Sequence, residues 1–110
     1  MNFRMHFQDL PHSQFLQTKC LAQAGALQTE FPEITRVEVT HTHSGDDRAT
    51  HVHATGRHLD LASNASSRSA RESIQEAFGR LQRQLRKHHD KHIYNRRRER
   101  AAVTARDVRS

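Results

Sequence analysis

Residues 69–92 constrain the fold most strongly, because two stripes of opposite character run along one predicted helix. The apolar stripe recurs at the three- and four-residue spacing of one helix face. It consists of Ala70, Ile74, Ala77, Phe78, Leu81 and Leu85. A basic stripe at the same spacing consists of Arg80, Arg83, Lys87 and Lys91. At about 100° per residue, the stripes lie roughly 135° apart, so the helix can pack on a core and present a row of cations outward.

Charge is divided unevenly along the chain. Residues 1–67 hold five Lys or Arg against seven Asp or Glu, whereas residues 68–110 hold thirteen against five. Such an asymmetry indicates an interaction surface rather than general solubility. A basic surface of this kind suits a polyphosphate, and RNA is the partner that the pattern favours.

The first two thirds of the chain predict one helix and four strands. Ser13 is a candidate N-cap for a helix that ends before Pro32, with an apolar face of Leu16, Cys20, Ala24, Leu27 and Phe31. Alternating residues predict strands over 2–7, 34–43 and 49–55, and a last strand that begins at residue 59. His41 and His43 continue the inward face of the second strand and are expected to cap the edge of the core.

The resulting order is β-α-β-β-β-α, an α+β fold. We expect one four-stranded sheet with two helices packed on one face. This domain would span residues 1–94. Residues 95–110 are rich in arginine and lack an apolar period, so they are predicted to form a basic, disordered tail.

Several functional classes are disfavoured by composition. No apolar run approaches the roughly 20 residues of a membrane helix, and the first residues lack a signal-peptide pattern, so we expect a soluble, cytoplasmic protein. Cys20 is the single cysteine and is expected to be a small buried hydrophobe. Neither a nucleophile elbow nor a glycine-rich phosphate loop is present, so an enzyme and a cofactor are not expected.

The ten histidines invite comparison with metal sites. His88 and His92 lie one helical turn apart, and His51 and His53 share one strand face, with His58 and Asp60 expected on the next strand. Neither a cysteine nor a second carboxylate completes a ligand set. We therefore expect surface histidines without a metal, some of which contact RNA and gain charge in mild acid.

The basic helix also carries a family resemblance. Leu81–Lys91 reads Leu-Gln-Arg-Gln-Leu-Arg-Lys-His-His-Asp-Lys, and it resembles the end of the last helix in the ribosome hibernation-promoting factor family, which includes the ribosome-associated inhibitors. Ile34–Val39 is similar to the family's second strand, and Leu61–Ala65 to its last strand. Arg98–Asp107 is similar to the start of the tail in the inhibitor branch. The chain would be a short and divergent member.

The resemblance implies a protein that binds the small ribosomal subunit in the channel used by tRNA and mRNA and blocks translation when growth slows. It implies no catalysis, no small-molecule substrate and no membrane, and we expect a monomer when the protein is free. The residues predicted to contact rRNA are Arg80, Arg83, Arg86, Lys87, His88, Lys91, Arg96, Arg97, Arg98 and Arg100.

Two alternative functions remain open on the sequence alone. The same fold could serve as a protein-interaction module, or the histidines could bind a metal. RNA binding should weaken steeply with added salt, whereas an apolar protein contact should not. A metal-binding protein should change its melting temperature when a chelator is added.

Overall fold

The structure, a computed structural model, describes the backbone of residues 1–109 and the side chains of residues 1–90. The elements are β1 (Asn2–Gln8), α1 (Gln14–Glu30), β2 (Ile34–Ser44), β3 (Asp47–Gly56), β4 (Leu59–Ser67) and α2 (Ala70–Arg109). The predicted order β-α-β-β-β-α and the α+β class are confirmed.

The four strands form one mixed sheet in the order β1-β2-β3-β4. β2, β3 and β4 are antiparallel neighbours, joined by short turns in which Gly45 and His58 adopt positive φ angles. β1 pairs with β2 in parallel, with Phe3 opposite Val37 and Met5 opposite Val39. A parallel pair needs a long crossover connection, and α1 provides it.

Both helices cover the same face of the sheet. Val37 and Val39 of β2 and Val52 and Ala54 of β3 are fully buried on this face. From α1, the predicted apolar positions Cys20, Ala24, Leu27 and Phe31 are buried, and from α2 those buried are Ile74, Ala77, Phe78, Leu81 and Leu85. Burial of each large side chain contributes about 1.5–3 kcal/mol, so this single core carries most of the stability.

Both helices begin with a serine cap. The Ser13 hydroxyl accepts a hydrogen bond from the Leu16 N–H at 3.3 Å, and the Ser69 hydroxyl accepts one from the Glu72 N–H at 3.4 Å. Each cap satisfies a backbone donor that the first helical turn leaves without a partner. The Ser13 cap that the sequence predicts is observed, and the two caps fix where the helices start above the sheet.

A chain of polar groups crosses the buried layer between β2, β3 and α2. His41 Nδ1 lies 3.0 Å from Thr50 Oγ1, which lies 2.9 Å from Ser73 Oγ, and Ser73 donates to the Ala70 carbonyl at 3.0 Å. Because Ser73 donates onward, Thr50 donates to Ser73 and His41 Nδ1 donates to Thr50. Burial and the nearby Arg48 lower the pKa of His41, which keeps the ring neutral.

The strands run further than the sequence predicts. β4 continues to Ser67, because Ser66 and Ser67 still pair with Ala49 and Arg48 of β3. His41 is buried as predicted, whereas His43 lies exposed at the end of β2. Polar residues at the end of a strand can extend it when the neighbouring strand offers hydrogen-bond partners. The pattern of apolar residues within one segment does not reveal those partners.

The last helix passes residue 94 as one continuous element that ends at Arg109. The predicted division into a domain of residues 1–94 and a tail of residues 95–110 stays a prediction, because the side chains beyond residue 90 are outside the described part. Over the described chain, no helix combines the length and apolar character that crossing a membrane requires.

Candidate nucleic-acid interface

The first half of α2 presents two cations directly outward. Arg83 and Lys87 are one helical turn apart, and both are exposed. Within residues 1–90, neither has an ion-pair partner. The buried residues Leu81 and Leu85 hold this part of α2 on the core from the opposite side. Arg83 and Lys87 are therefore placed by the core packing and are available to an external anion.

Arg80, on the same side of α2, is engaged within the protein. Its Nη2 donates to Glu76 Oε1 at 2.7 Å, and its Nη1 donates to the backbone carbonyl of Asn64 at 2.8 Å. The side chain thus reaches from α2 to the open edge of β4. Two of its five N–H donors are occupied, so Arg80 keeps donors for a further anion while its position is fixed.

Arg86 points away from Arg83 and toward α1. Its Nε donates to Glu30 Oε1 at 2.8 Å, and Gln82 Nε2 donates to Glu30 Oε2 at 2.9 Å. These hydrogen bonds from Arg86 and Gln82 lower the pKa of Glu30 below its ordinary value of 4.5. This contact engages Arg86 and makes it less available to a phosphate than Arg83 or Lys87.

His88 lies on the β4 side of α2. Its Nε2 is 3.1 Å from the backbone carbonyl of His58, the residue in the turn between β3 and β4. The nitrogen donates in this contact because a carbonyl oxygen only accepts. The predicted RNA-contact residue is therefore half-buried against the sheet, and its Nδ1 has no hydrogen-bond partner among residues 1–90.

The remaining predicted contact residues lie outside the described side chains. They are Lys91, Arg96, Arg97, Arg98 and Arg100. All five belong to the continuous span of α2, and their part in binding stays a prediction.

Two exposed large apolar side chains on α1 were not predicted from the sequence. Phe15 is 63% exposed and Leu21 is 48% exposed, and the ammonium of Lys19 lies 5.6 Å from the centre of the Phe15 ring. Lys19 and Glu30 are the only charged residues of this helix. Helical periodicity assigned the inward positions correctly, but it did not indicate that the outward positions would include two large apolar side chains.

The histidines of the sheet lie where the alternation predicts. His51 and His53 project from the face opposite the helices, where His51 bonds to Asn64 and His53 pairs with Asp60. Among the side chains that the structure describes, no three His, Cys, Asp or Glu residues come close enough to hold a metal ion. Burial raises the pKa of the Cys20 thiol to about 12, so this residue is an inert part of the core.

Comparisons with known proteins agree with the fold. The family described as Sigma 54 modulation protein / S30EA ribosomal protein matches residues 3–93. No curated protein matches the sequence. Among solved structures, a ribosomal subunit interface protein from Coxiella burnetii superposes with a TM-score of 0.77 at 16% identity, covering 82% of this chain and 99% of its own. The Protein Y N-terminal domain from Thermus thermophilus gives 0.71 at 12% identity, covering 79% and 98%.

Proposed function

Because the chain belongs to the Sigma 54 modulation protein / S30EA ribosomal protein family, we propose that it binds the small ribosomal subunit and inhibits translation. The site of binding is the channel that tRNA and mRNA use, and the outcome is ribosome hibernation when growth slows. A ribosomal partner places the protein in the cytoplasm. The protein acts by occupying the channel and catalyses no reaction.

The observation that carries this proposal is the exposed pair Arg83 and Lys87 on a helix anchored by the core. Neutralising phosphates releases condensed counterions, which supplies affinity for rRNA without reading its sequence. Arginine can also fork onto a phosphate or stack on a base. Arg80 and His88 extend the surface toward β4, and Arg86 extends it toward α1. The cations from Lys91 onward would lengthen the contact along the helix.

The deciding experiment is co-sedimentation with purified small subunits across a salt series, beside a translation assay in vitro. The wild-type protein should bind at low salt, dissociate as salt rises and inhibit translation. The variant Arg83→Glu/Lys87→Glu should lose most of its binding at physiological salt and remain folded, because both residues are exposed.

A matched control separates position from net charge. Arg4→Glu/Arg71→Glu changes the charge by the same amount at two exposed sites, on β1 and in the first turn of α2. Residue 71 lies about 18 Å along the helix from residue 83. This control should still bind. If the Arg83→Glu/Lys87→Glu variant binds as well as the control, the exposed pair is not the site.

A second candidate function rests on the two exposed apolar side chains of α1. Phe15 and Leu21 could dock on a protein partner, in which case the fold would serve as a protein-interaction module. Such a contact would survive high salt, so the same salt series distinguishes the two functions. Binding that is insensitive to salt and is removed by Phe15→Ser would favour the protein partner.

A further inference from the structure

A trough crosses the face of the sheet that the helices leave open. Its volume is about 570 Å³, and it lies toward the end where β1 and β4 finish. Thr40, Thr42 and Ala49 line its middle, where they occupy neighbouring positions on β2 and β3. The Thr42 hydroxyl donates to the Gln8 carbonyl at 3.0 Å and is thereby used within the protein. The middle of the trough thus carries no charge.

One wall of the trough carries a hydrogen-bonding pair of defined polarity. His51 Nδ1 donates to Asn64 Oδ1 across the β3–β4 ladder. This bond leaves His51 Nε2 as an acceptor and the Asn64 amide nitrogen as a donor. The Asn64 amide N–H can donate to a nucleobase, because every base carries at least one acceptor on its Watson–Crick edge. This donor therefore suits a base without selecting one.

A cation stands beside this wall. Arg80 lines the trough although it belongs to α2 on the other face of the sheet, because its side chain reaches the edge of β4. Its guanidinium is held by the Asn64 carbonyl and by Glu76, and it keeps N–H donors. An uncharged cavity with one free amide donor and one adjacent arginine has the polarity of a single nucleotide unit, with an uncharged ring joined to an anion.

We propose that this trough is a subsite for one nucleobase of single-stranded RNA, whose backbone phosphate lies on Arg80. The inference rests on the proposed function and adds a surface to it, since the exposed pair Arg83 and Lys87 reads only phosphates. The ring lies on the methyl groups of Thr40, Thr42 and Ala49, and its polar edge accepts from the Asn64 amide. Bases that are unpaired and splayed out are the usual targets of such pockets in RNA-binding proteins.

The test compares two fluorescent RNA probes of equal charge, an adenosine hexamer and an abasic hexamer, by anisotropy at low salt. The wild-type protein should bind the adenosine hexamer at least ten-fold more tightly than the abasic one. The variant Ala49→Phe fills the trough and should bind both probes alike. The matched control Ala62→Phe adds the same ring at an exposed position on the same face outside the trough, and it should keep the ten-fold difference.

A second variant keeps the test valid if Ala49→Phe fails to fold. Asn64→Ala removes only an exposed amide and should also abolish the difference between the probes. Equal affinity of the wild-type protein for both probes would overturn the proposal, and so would a ten-fold difference that persists in Asn64→Ala or in folded Ala49→Phe.

Sedimentation with small subunits separates this inference from the proposed function. Ribosome binding by a wild-type protein that does not distinguish the two hexamers would overturn the base subsite alone. Discrimination between the hexamers without ribosome binding would support the subsite and overturn the proposed partner.

Discussion

Arg86 of α2 and Glu30 at the end of α1 form an ion pair across the groove between the two helices, with 2.8 Å between Nε and Oε1. Gln82 binds the other carboxylate oxygen. The contact ties the end of one helix to the middle of the other on the surface of the domain. It also makes Arg86, one of the predicted RNA-contact residues, less available to a phosphate.

This pair should give the stability of the protein a dependence on pH in acid. Hydrogen bonds lower the pKa of Glu30 below 4.5, so the pair stabilises the fold above pH 4.5 and its contribution is lost as the pH falls through the lower, folded pKa. We expect the melting temperature of the wild-type protein to drop more steeply below pH 4.5 than that of Glu30→Gln. Thermal unfolding from pH 7 to pH 3 measures this. The effect should be modest because the pair is exposed, and parallel curves would contradict it.

The salt dependence of ribosome binding should distinguish the cations of α2 that are free to contact phosphates from those already held by other residues. Each phosphate contact that is lost should reduce the slope of log affinity against log salt by about 0.7–1. Arg83→Ala and Lys87→Ala should each show a reduction of this size in binding to small subunits. Arg86→Ala should show a smaller one, because Glu30 already holds that guanidinium. An equal reduction for Arg86→Ala would mean that the ion pair opens on binding.

Gly79 should be replaceable by alanine with a gain in stability. A Cβ at this position would meet nothing closer than Arg83 Nη1 at 3.9 Å, and alanine favours a helix over glycine by about 1 kcal/mol. We expect Gly79→Ala to raise the free energy of unfolding by about 0.5–1 kcal/mol in urea titrations. The contrasting variant is Gly56→Ala, whose Cβ would collide with the backbone carbonyl of Glu33, and it should destabilise the protein. A loss of stability in Gly79→Ala would contradict the conclusion that α2 has room for a methyl group at this position.

The buried hydroxyl of Thr50 should contribute far more to the stability of the protein than the shape of its side chain does. Thr50→Val keeps the volume but removes the acceptor for His41 Nδ1 and the donor for Ser73. Leaving a buried polar group without a partner costs about 1–3 kcal/mol, and we expect a loss of this size in the free energy of unfolding. The control Thr55→Val is the same change further along β3 on the open face of the sheet, and it should be close to neutral. Equal effects of the two changes would show that the polar chain contributes nothing.

Local patterns in the sequence were sufficient to predict the helices and strands and the face of each that is buried. The stripe from Ala70 to Leu85 predicted both the last helix and its buried side, because three- and four-residue spacing leaves little freedom when one face must be buried. The serine caps and the turn residues set the starts of the helices and the bends between strands. The parallel pairing of β1 with β2 is not visible in either segment, because it is decided by how α1 crosses the sheet.

The candidate site was predictable as a face but not as a set of contacts. The spacing placed Arg80, Arg83 and Lys87 on one side of the helix. It could not show the contacts of Arg80 with Asn64 and of Arg86 with Glu30, because these partners lie 16 and 56 residues away in the sequence. The subsite on the open sheet face was missed for a similar reason. It depends on the register that sets His51 opposite Asn64, and no single strand reports that register.

Arg80 and His88 donate to carbonyls of Asn64 and His58, so α2 covers hydrogen-bonding groups along the outer margin of the β3–β4 hairpin. An uncovered strand margin is where a second chain adds itself and starts aggregation. Growth of the sheet beyond β4 would first have to displace Arg80 from the Asn64 carbonyl. The helix that presents its cations outward therefore also protects this side of the protein against aggregation. Substitutions of Arg80 should be tested for their effect on solubility as well as on binding.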